Sequence, residues 1–90
     1  MLKKKVTQIL RYNAIFDPAE EGGFTVTVPK LPGLVTEGDT YEKALSNVRD
    51  AIKGYIQILQ ECDEVVPEPD SKTFTSPIDI NFSGSSYAFA

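Results

Sequence analysis

The sequence predicts a small α+β domain with the element order β-β-β-α-β: an antiparallel three-stranded meander, one long amphipathic helix packed on the sheet, and a fourth strand after the helix. Three observations predict it. Short segments of alternating apolar residues occupy positions 10–36, an apolar stripe at helical spacing occupies 41–59, and alternation returns over 73–83. The 90 residues suffice for one domain and leave no room for two, so we expect a single domain over residues 1–83 and a C-terminal tail over 84–90.

The first two strands are predicted from alternation on either side of a turn. Residues 10–16 place Tyr12 and Phe16 on one face, and residues 24–28 continue the pattern with β-branched side chains, which pack well on a pleated surface. Between them, residues 17–23 contain a proline, three acids and two glycines, a composition typical of a chain reversal. We therefore expect a β-hairpin.

A third strand and the helix follow. Residues 29–33 contain two prolines and a glycine, which predicts a stiff connection to a short strand at residues 34–36. Asp39 with Glu42 three positions later makes a capping-box pattern, and Thr40 is the alternative N-cap. The apolar stripe then continues for five turns, which predicts a helix from about residue 41 to 59.

The predicted helix is longer than the sheet it covers. It spans about 28 Å, whereas strands of five or six residues cover about 17–20 Å. Its far end must be covered by a later strand or by another protomer. Residues 73–83 predict that later strand, parallel to another strand because of the β-α-β crossover, with Pro77 at an edge or bulge. The residues expected at an oligomer interface are Tyr55, Ile56, Ile58, Leu59, Phe74, Ile78, Ile80 and Phe82.

Charge and composition narrow the class of partner. Residues 1–16 carry four bases and no acid, whereas residues 17–90 carry thirteen acids and five bases, a net charge of −8. Such a surface repels phosphate backbones and attracts basic partners, so no direct binding of nucleic acid is expected. There is no apolar run long enough to span a membrane and no signal-peptide pattern, and the lone cysteine forms no intrachain disulfide. A cytoplasmic protein is the expectation.

The sequence lacks the usual catalytic sets. It has no histidine, no glycine-rich phosphate loop and no cysteine pair, so we expect no catalytic residues, no metal and no cofactor. A two-metal nuclease would need several converging carboxylates, and nothing in the sequence fixes any pair on one strand face. The acids available for such a nuclease site are Asp17, Glu20, Glu21, Glu37, Asp39 and Asp79.

Several motifs resemble the HicB-type antitoxin family. They are the segment 12–16, the turn Glu-Glu-Gly-Gly-Phe at 20–24, the run Val-Thr-Val-Pro-Lys-Leu-Pro-Gly at 26–33, and Glu-Gly-Asp-Thr at 37–40 before the helical stretch 44–51. The resemblance covers about residues 10–60. It implies a small β-β-β-α-β domain similar to a truncated RNase H fold, associated as dimers or tetramers.

The resemblance also implies a function. Many members neutralise a HicA toxin, a small basic RNA-cleaving protein, by covering its catalytic face. Many carry a C-terminal DNA-binding module, but here about eight residues follow the last predicted strand, so operator binding is not expected. Lys30 and Leu34 depart from the family, which often has an acid and a cysteine at these positions.

Site residues follow from the resemblance and from charge. The motif residues are expected to shape the turn and the helix start: Pro29, Leu31, Pro32, Gly33, Gly38, Asp39 and Thr40. Contact with the toxin is expected from acids of the first hairpin and the post-helix segment, beside two aromatic anchors: Tyr12, Asp17, Glu20, Glu21, Phe24, Glu61, Asp63 and Glu64. The leading hypothesis is a non-catalytic antitoxin, and the alternative is an orphan oligomeric interaction or small-ligand module without a toxin.

Overall fold

The computed structural model describes residues 7–84. Three strands, β1 (Ile15–Pro18), β2 (Phe24–Thr27) and β3 (Val35–Gly38), precede one helix, α1 (Tyr41–Glu61). The strands form one antiparallel sheet in the order β1-β2-β3. The predicted three-stranded meander followed by a long helix is confirmed. Of the predicted tail 84–90, only Gly84 lies within the described residues.

The first strand begins later than predicted, at Ile15 instead of residue 10. Ile15 pairs with Thr27, the last residue of β2. Beyond it the chain turns away, because the N–H of Leu31 donates to the carbonyl of Val28 at 2.9 Å. Residues 10–14 therefore have no β2 backbone to pair with. The alternation indicated which side chains of this segment face the helix, but it carries no information on where the neighbouring strand ends.

The connection between β2 and β3 is a pair of consecutive turns. The second is closed by the N–H of Leu34, which donates to the carbonyl of Leu31 at 3.1 Å. Gly33 has a φ of +85°, a conformation that glycine adopts without strain. The two turns bury Leu31 completely. It joins a core that also contains Val26, Val28, Leu34, Ala44 and Val48.

The helix starts where Thr40 caps it. The N–H of Lys43 donates to the Thr40 hydroxyl at 3.1 Å, which satisfies one of the free amides of the first turn. The capping residue is therefore the alternative Thr40, and Asp39 is not the cap. Gly38 lies so close to the helix that an added Cβ would collide with the backbone of Ala44. The absence of a Cβ at Gly38 therefore allows the end of β3 to lie against the first turn of α1.

After the helix, the chain returns to the segment before β1. The Tyr12 hydroxyl donates to the carbonyl of Pro67 at 2.7 Å, and the N–H of Asp70 donates to the carbonyl of Arg11 at 2.7 Å. The Asp70 carboxylate is buried and accepts from the N–H of Asn13 at 2.9 Å. These two bonds, to Arg11 and from Asn13, follow the pattern of a parallel β-bridge. The Asp70 side-chain oxygen takes the place of the Asp70 backbone carbonyl as the acceptor.

The predicted fourth strand is not found among residues 7–84. The Asn13 side-chain amide donates to the carbonyl of Thr73 at 2.7 Å, and beyond this point residues 74–83 enter no ladder within the described part of the chain. The carboxylate of Asp70 takes the place of a ladder carbonyl, so the backbone bonding does not continue as a regular strand. The apolar residues that predicted the strand are largely exposed: Phe74 77%, Ile78 77%, Ile80 77% and Phe82 71%.

Candidate functional site

Five acids surround the turn end of the β1–β2 hairpin. Two follow β1 in the loop, and the others flank the ends of β1 and β3. All five side chains are exposed, and the hydrogen bonds among residues 7–84 use none of their carboxylates. We call this set the acidic hairpin surface; its members are Asp17, Glu20, Glu21, Glu37 and Asp39.

The hairpin loop is rigidly built. The N–H of Ala19 donates to the carbonyl of Gly23 and the N–H of Gly22 donates to the carbonyl of Ala19, both at 3.0 Å. Gly22 and Gly23 have φ values of +100° and +76°, which side chains rarely allow. A Cβ on Gly23 would also approach the Asp39 Cα to 3.0 Å. The loop therefore packs against the end of β3 and draws acids from two connections together.

A shallow polar hollow of about 250 Å³ lies within this surface. Glu21, Glu37 and Asp39 line it, with Phe24 and Thr25 on the strand side. The first turn of a helix favours negative charge, so Asp39 and the neighbouring Glu42 are in a locally favourable place beside the start of α1. The hollow presents carboxylates to solvent at a position suited to a lysine or arginine side chain.

Three aromatic rings lie beside the acids. The ring centroids of Phe16 and Phe24 are 6.2 Å apart in an edge-to-face arrangement, and Tyr41 lies 5.1 Å from Phe16 and 6.3 Å from Phe24. Tyr41 is 49% exposed. Sequence reasoning named Phe24 but missed Tyr41, because the apolar stripe assigned Tyr41 to the core. Tyr41 is the first residue of the helix and lies at the edge of the apolar stripe, and this position could have indicated that its ring is partly exposed.

The second predicted acidic group lies elsewhere. Glu61, Asp63 and Glu64 are exposed at the far end of α1, and a helix of 21 residues is about 31 Å long. The hairpin acids and the post-helix acids therefore lie at opposite ends of the molecule and do not form one surface. A partner would have to span the whole helix to contact both.

Tyr12 lies near the post-helix segment and is separate from the aromatic rings at the hairpin. Its hydroxyl bonds to Pro67, so it joins two parts of the chain. Burial raises the pKa of the Tyr12 hydroxyl, and the negative charge of Asp70 raises it further. Both effects penalise the ionised form.

An apolar groove of about 610 Å³ lies between residues 8–14 and α1. Its apolar lining residues include Leu10, Tyr12, Ala14, Leu45, Val48, Ile52 and Ile56. Arg11, Arg49 and Lys53 also line the groove and give it positive charge.

Of the helix residues predicted at an oligomer interface, Ile56 alone lines this groove. Tyr55 donates to the carbonyl of Pro32 at 2.9 Å, and Leu59 is half-buried. Ile58 is 61% exposed outside the groove. The structure therefore does not gather the four helix residues on one surface.

Residues 7–84 bring no metal-binding set of side chains together. No three His, Cys, Asp or Glu side chains in this range lie close enough to hold an ion, so the nuclease hypothesis gains no carboxylate cluster from this part of the chain. In the same range, no helix has the length and apolar character needed to cross a membrane.

Comparison with known proteins gives a consistent result. Residues 12–88 match the model of a family described as "HicB_like antitoxin of bacterial toxin-antitoxin system". A UPF0150 protein of Thermoplasma acidophilum is 36% identical over 66 residues, which are 73% of this chain and 96% of that protein. "Antitoxin HicB 1" of Photorhabdus laumondii is 38% identical over 60 residues, and "Antitoxin HicB" of Escherichia coli K12 is 32% identical over 60. This chain spans 39% and 44% of those two antitoxins.

Proposed function

Because the chain belongs to the HicB-like antitoxin family, we propose that it is a non-catalytic antitoxin that binds a small basic HicA-type RNA-cleaving toxin and masks its active face. Relatives named antitoxins point to a non-enzymatic role. The identity of the toxin and the masking mode follow from the family resemblance and from the charge of this chain. The site of action is the cytoplasm, where transcripts are cut.

The observation that carries this proposal is the acidic hairpin surface beside the Phe16, Phe24 and Tyr41 rings. Exposed carboxylates attract a basic partner at long range and accept charge-assisted hydrogen bonds on contact. Half-exposed aromatic rings supply the apolar anchors that dominate the energy of protein interfaces. RNA is not the partner of this surface, because its phosphates would be repelled.

The test is a charge reversal at one end of the molecule with a matched control at the other. Glu20→Lys with Glu21→Lys changes the hairpin surface, and Glu61→Lys with Glu64→Lys makes the same charge change about 31 Å away. All four side chains are exposed, so neither pair should unfold the domain. The chain is co-expressed with a small basic protein encoded beside it, and affinity is measured at two salt concentrations.

We expect the hairpin pair to weaken toxin binding by at least about tenfold, to flatten its salt dependence and to abolish growth rescue, while the post-helix pair retains all three. Equal losses in both pairs would show a nonspecific effect of net charge. Loss confined to the post-helix pair would move the interface to that end. Wild-type chain that binds no such protein would refute the antitoxin role.

The second candidate function is an orphan module that binds a small apolar ligand or another protein. It is favoured by the groove between residues 8–14 and α1, whose volume of about 610 Å³ lies within the range of ligand sites. Charge reversal at the hairpin would leave such a function unchanged.

A further inference from the structure

The face of the sheet that points away from α1 is open to solvent. Phe16, Val26 and Thr36 lie side by side in one cross-strand row on the helix side, where Val26 is completely buried. Side chains alternate along a strand, so the residues on either side of these three point away from the helix. We call the surface they form the outer face; its members are Ile15, Asp17, Thr25, Thr27, Val35 and Glu37.

One cross-strand row of the outer face is apolar. Ile15 of β1 and Val35 of β3 flank Thr27, and among residues 7–84 these two side chains keep exposures of 43% and 63%. An antiparallel sheet that is covered on one side usually has polar residues on the other, so this row departs from the common pattern. Strands lie about 4.8 Å apart, which places the two apolar residues about 10 Å from each other. Covering them would remove apolar surface from water and stabilise a complex.

The next row of the outer face is acidic. Asp17 and Glu37 flank Thr25, about 6.6 Å along the strands from the apolar row, and both carboxylates are exposed. Thr25 and Glu37 also line the polar hollow of about 250 Å³, together with Glu21 and Asp39. The outer face is therefore continuous with the acidic hairpin surface at the turn end of the sheet.

The two rows specify the chemistry of a complementary surface. It carries a lysine or arginine about 6–7 Å from an apolar side chain. Positions i and i+2 of a strand meet this spacing, as do positions i and i+4 of a helix. Nucleic acid does not fit, because the carboxylates repel its phosphates. A basic protein does fit.

A second copy of the chain is a poor occupant of the outer face. Stacked sheets lie about 10 Å apart, so two outer faces in register would place Asp17 and Glu37 against the same acids of the other copy. Turning one copy end for end would press these carboxylates on Ile15 and Val35, which removes charge from water without a partner. A basic protein avoids both costs.

We propose that the basic toxin docks on the outer face. An apolar side chain of the toxin covers the row of Ile15 and Val35, and a lysine or arginine lies between Asp17 and Glu37. This inference rests on the proposed antitoxin function and adds the direction from which the toxin approaches. The acidic hairpin surface then forms one end of the interface, and the outer face supplies apolar contact besides that of the aromatic rings.

The first test removes apolar surface without changing charge. Ile15→Thr with Val35→Thr keeps β-branched side chains, which suit a strand. Ile58→Thr with Val65→Thr makes the same two chemical changes at exposed positions near the far end of α1. Each full chain is titrated with the small basic protein encoded beside it, at two salt concentrations. We expect the outer-face pair to weaken binding about tenfold with unchanged salt dependence, and the control pair by less than about twofold.

The outcomes separate docking on the outer face from the antitoxin role. Binding that Glu20→Lys with Glu21→Lys weakens but Ile15→Thr with Val35→Thr leaves unchanged would overturn the docking and leave the antitoxin role intact. Equal losses in the two threonine pairs would also overturn the docking, since the toxin would then distinguish no face. A wild-type chain that binds no such protein would refute both.

The second test examines whether the chain's own lysines at positions 3–5 occupy the outer face. Lys3→Gln, Lys4→Gln and Lys5→Gln are combined in one full chain, and urea unfolding of the chain without toxin is followed at low salt. We expect the wild-type midpoint, and additive effects when Ile15→Thr and Val35→Thr are added. A lowered midpoint that the threonine pair lowers no further would make these lysines the occupant and overturn docking of the toxin there.

Discussion

Replacing Asp70 with alanine should release the segment that joins the end of the chain to its beginning. The Asp70 side chain is only 7% exposed, and its carboxylate accepts from the Asn13 N–H at 2.9 Å. Hydrogen bonds to charged groups contribute about 1.5–3 kcal/mol, and alanine leaves a part-buried N–H without an acceptor. Because the Asp70 N–H still reaches the Arg11 carbonyl, we expect a loss of about 2 kcal/mol in unfolding free energy, equivalent to roughly 8–16 °C in Tm for a domain of this size.

The assay is urea unfolding monitored by circular dichroism at one fixed protomer concentration, since association would make stability depend on concentration. Asp70→Asn keeps an acceptor oxygen and should lose about 1 kcal/mol. Glu68→Ala, at an exposed position in the same segment, should stay within about 0.5 kcal/mol of wild type. An Asp70→Ala protein as stable as the Glu68→Ala protein would refute the assignment of a structural role to this carboxylate.

Two further predictions concern the helix start and the pH dependence of stability. Thr40→Ala should cost about 1 kcal/mol in chemical unfolding through the lost cap to Lys43, whereas Asp39→Ala should cost less than half of that; the reverse ranking would make Asp39 the cap. The pKa of Tyr12 is raised in the folded chain, so above its ordinary value of 10.0 the unfolded chain loses this proton first. Its contribution is thus complete below pH 10 and is lost as pH rises through the folded-state pKa. Tyr12→Phe should show a shallower alkaline decline than wild type in pH-dependent urea titrations, and identical slopes would contradict this.

Local signals in the sequence predicted the helix and the strands more reliably than they predicted what each element packs against. The Asp39–Glu42 pattern, the alternative cap Thr40 and the stripe beginning at Tyr41 predicted the helix start, because caps and helical spacing are properties of neighbouring residues. Of the two proposed caps, the structure uses Thr40. The predicted fourth strand is not found among the described residues, because alternation over residues 73–83 specifies an apolar face without specifying what covers it. In the structure, the apolar side chains of this segment are accordingly largely exposed.

The sequence predicted the acidic character of the candidate site, but it did not predict which of the acids lie together. Acids in the hairpin are visible in the sequence, and so is the turn that gathers them. That Glu61 lies about 31 Å from Tyr41 follows from helix length. The meander places the helix start at the hairpin turn, because Phe24 pairs with Gly38. Because Gly38 has no Cβ, the end of β3 can lie against Ala44 in the first turn of α1, and no sequence pattern announces such a contact.

The bonds between residues 11–13 and 67–73 also set the order in which the molecule can fold. They join residues separated by 55 to 60 positions, whereas the hairpin, the double turn and the helix form from neighbouring stretches of chain. Closing so long a loop costs entropy that few contacts offset until the rest is in place. The central unit from β1 to α1 is therefore expected to form first and these bonds last. In hydrogen exchange, the Asn13 and Asp70 amides should then open at lower free energy than the amide of Val26.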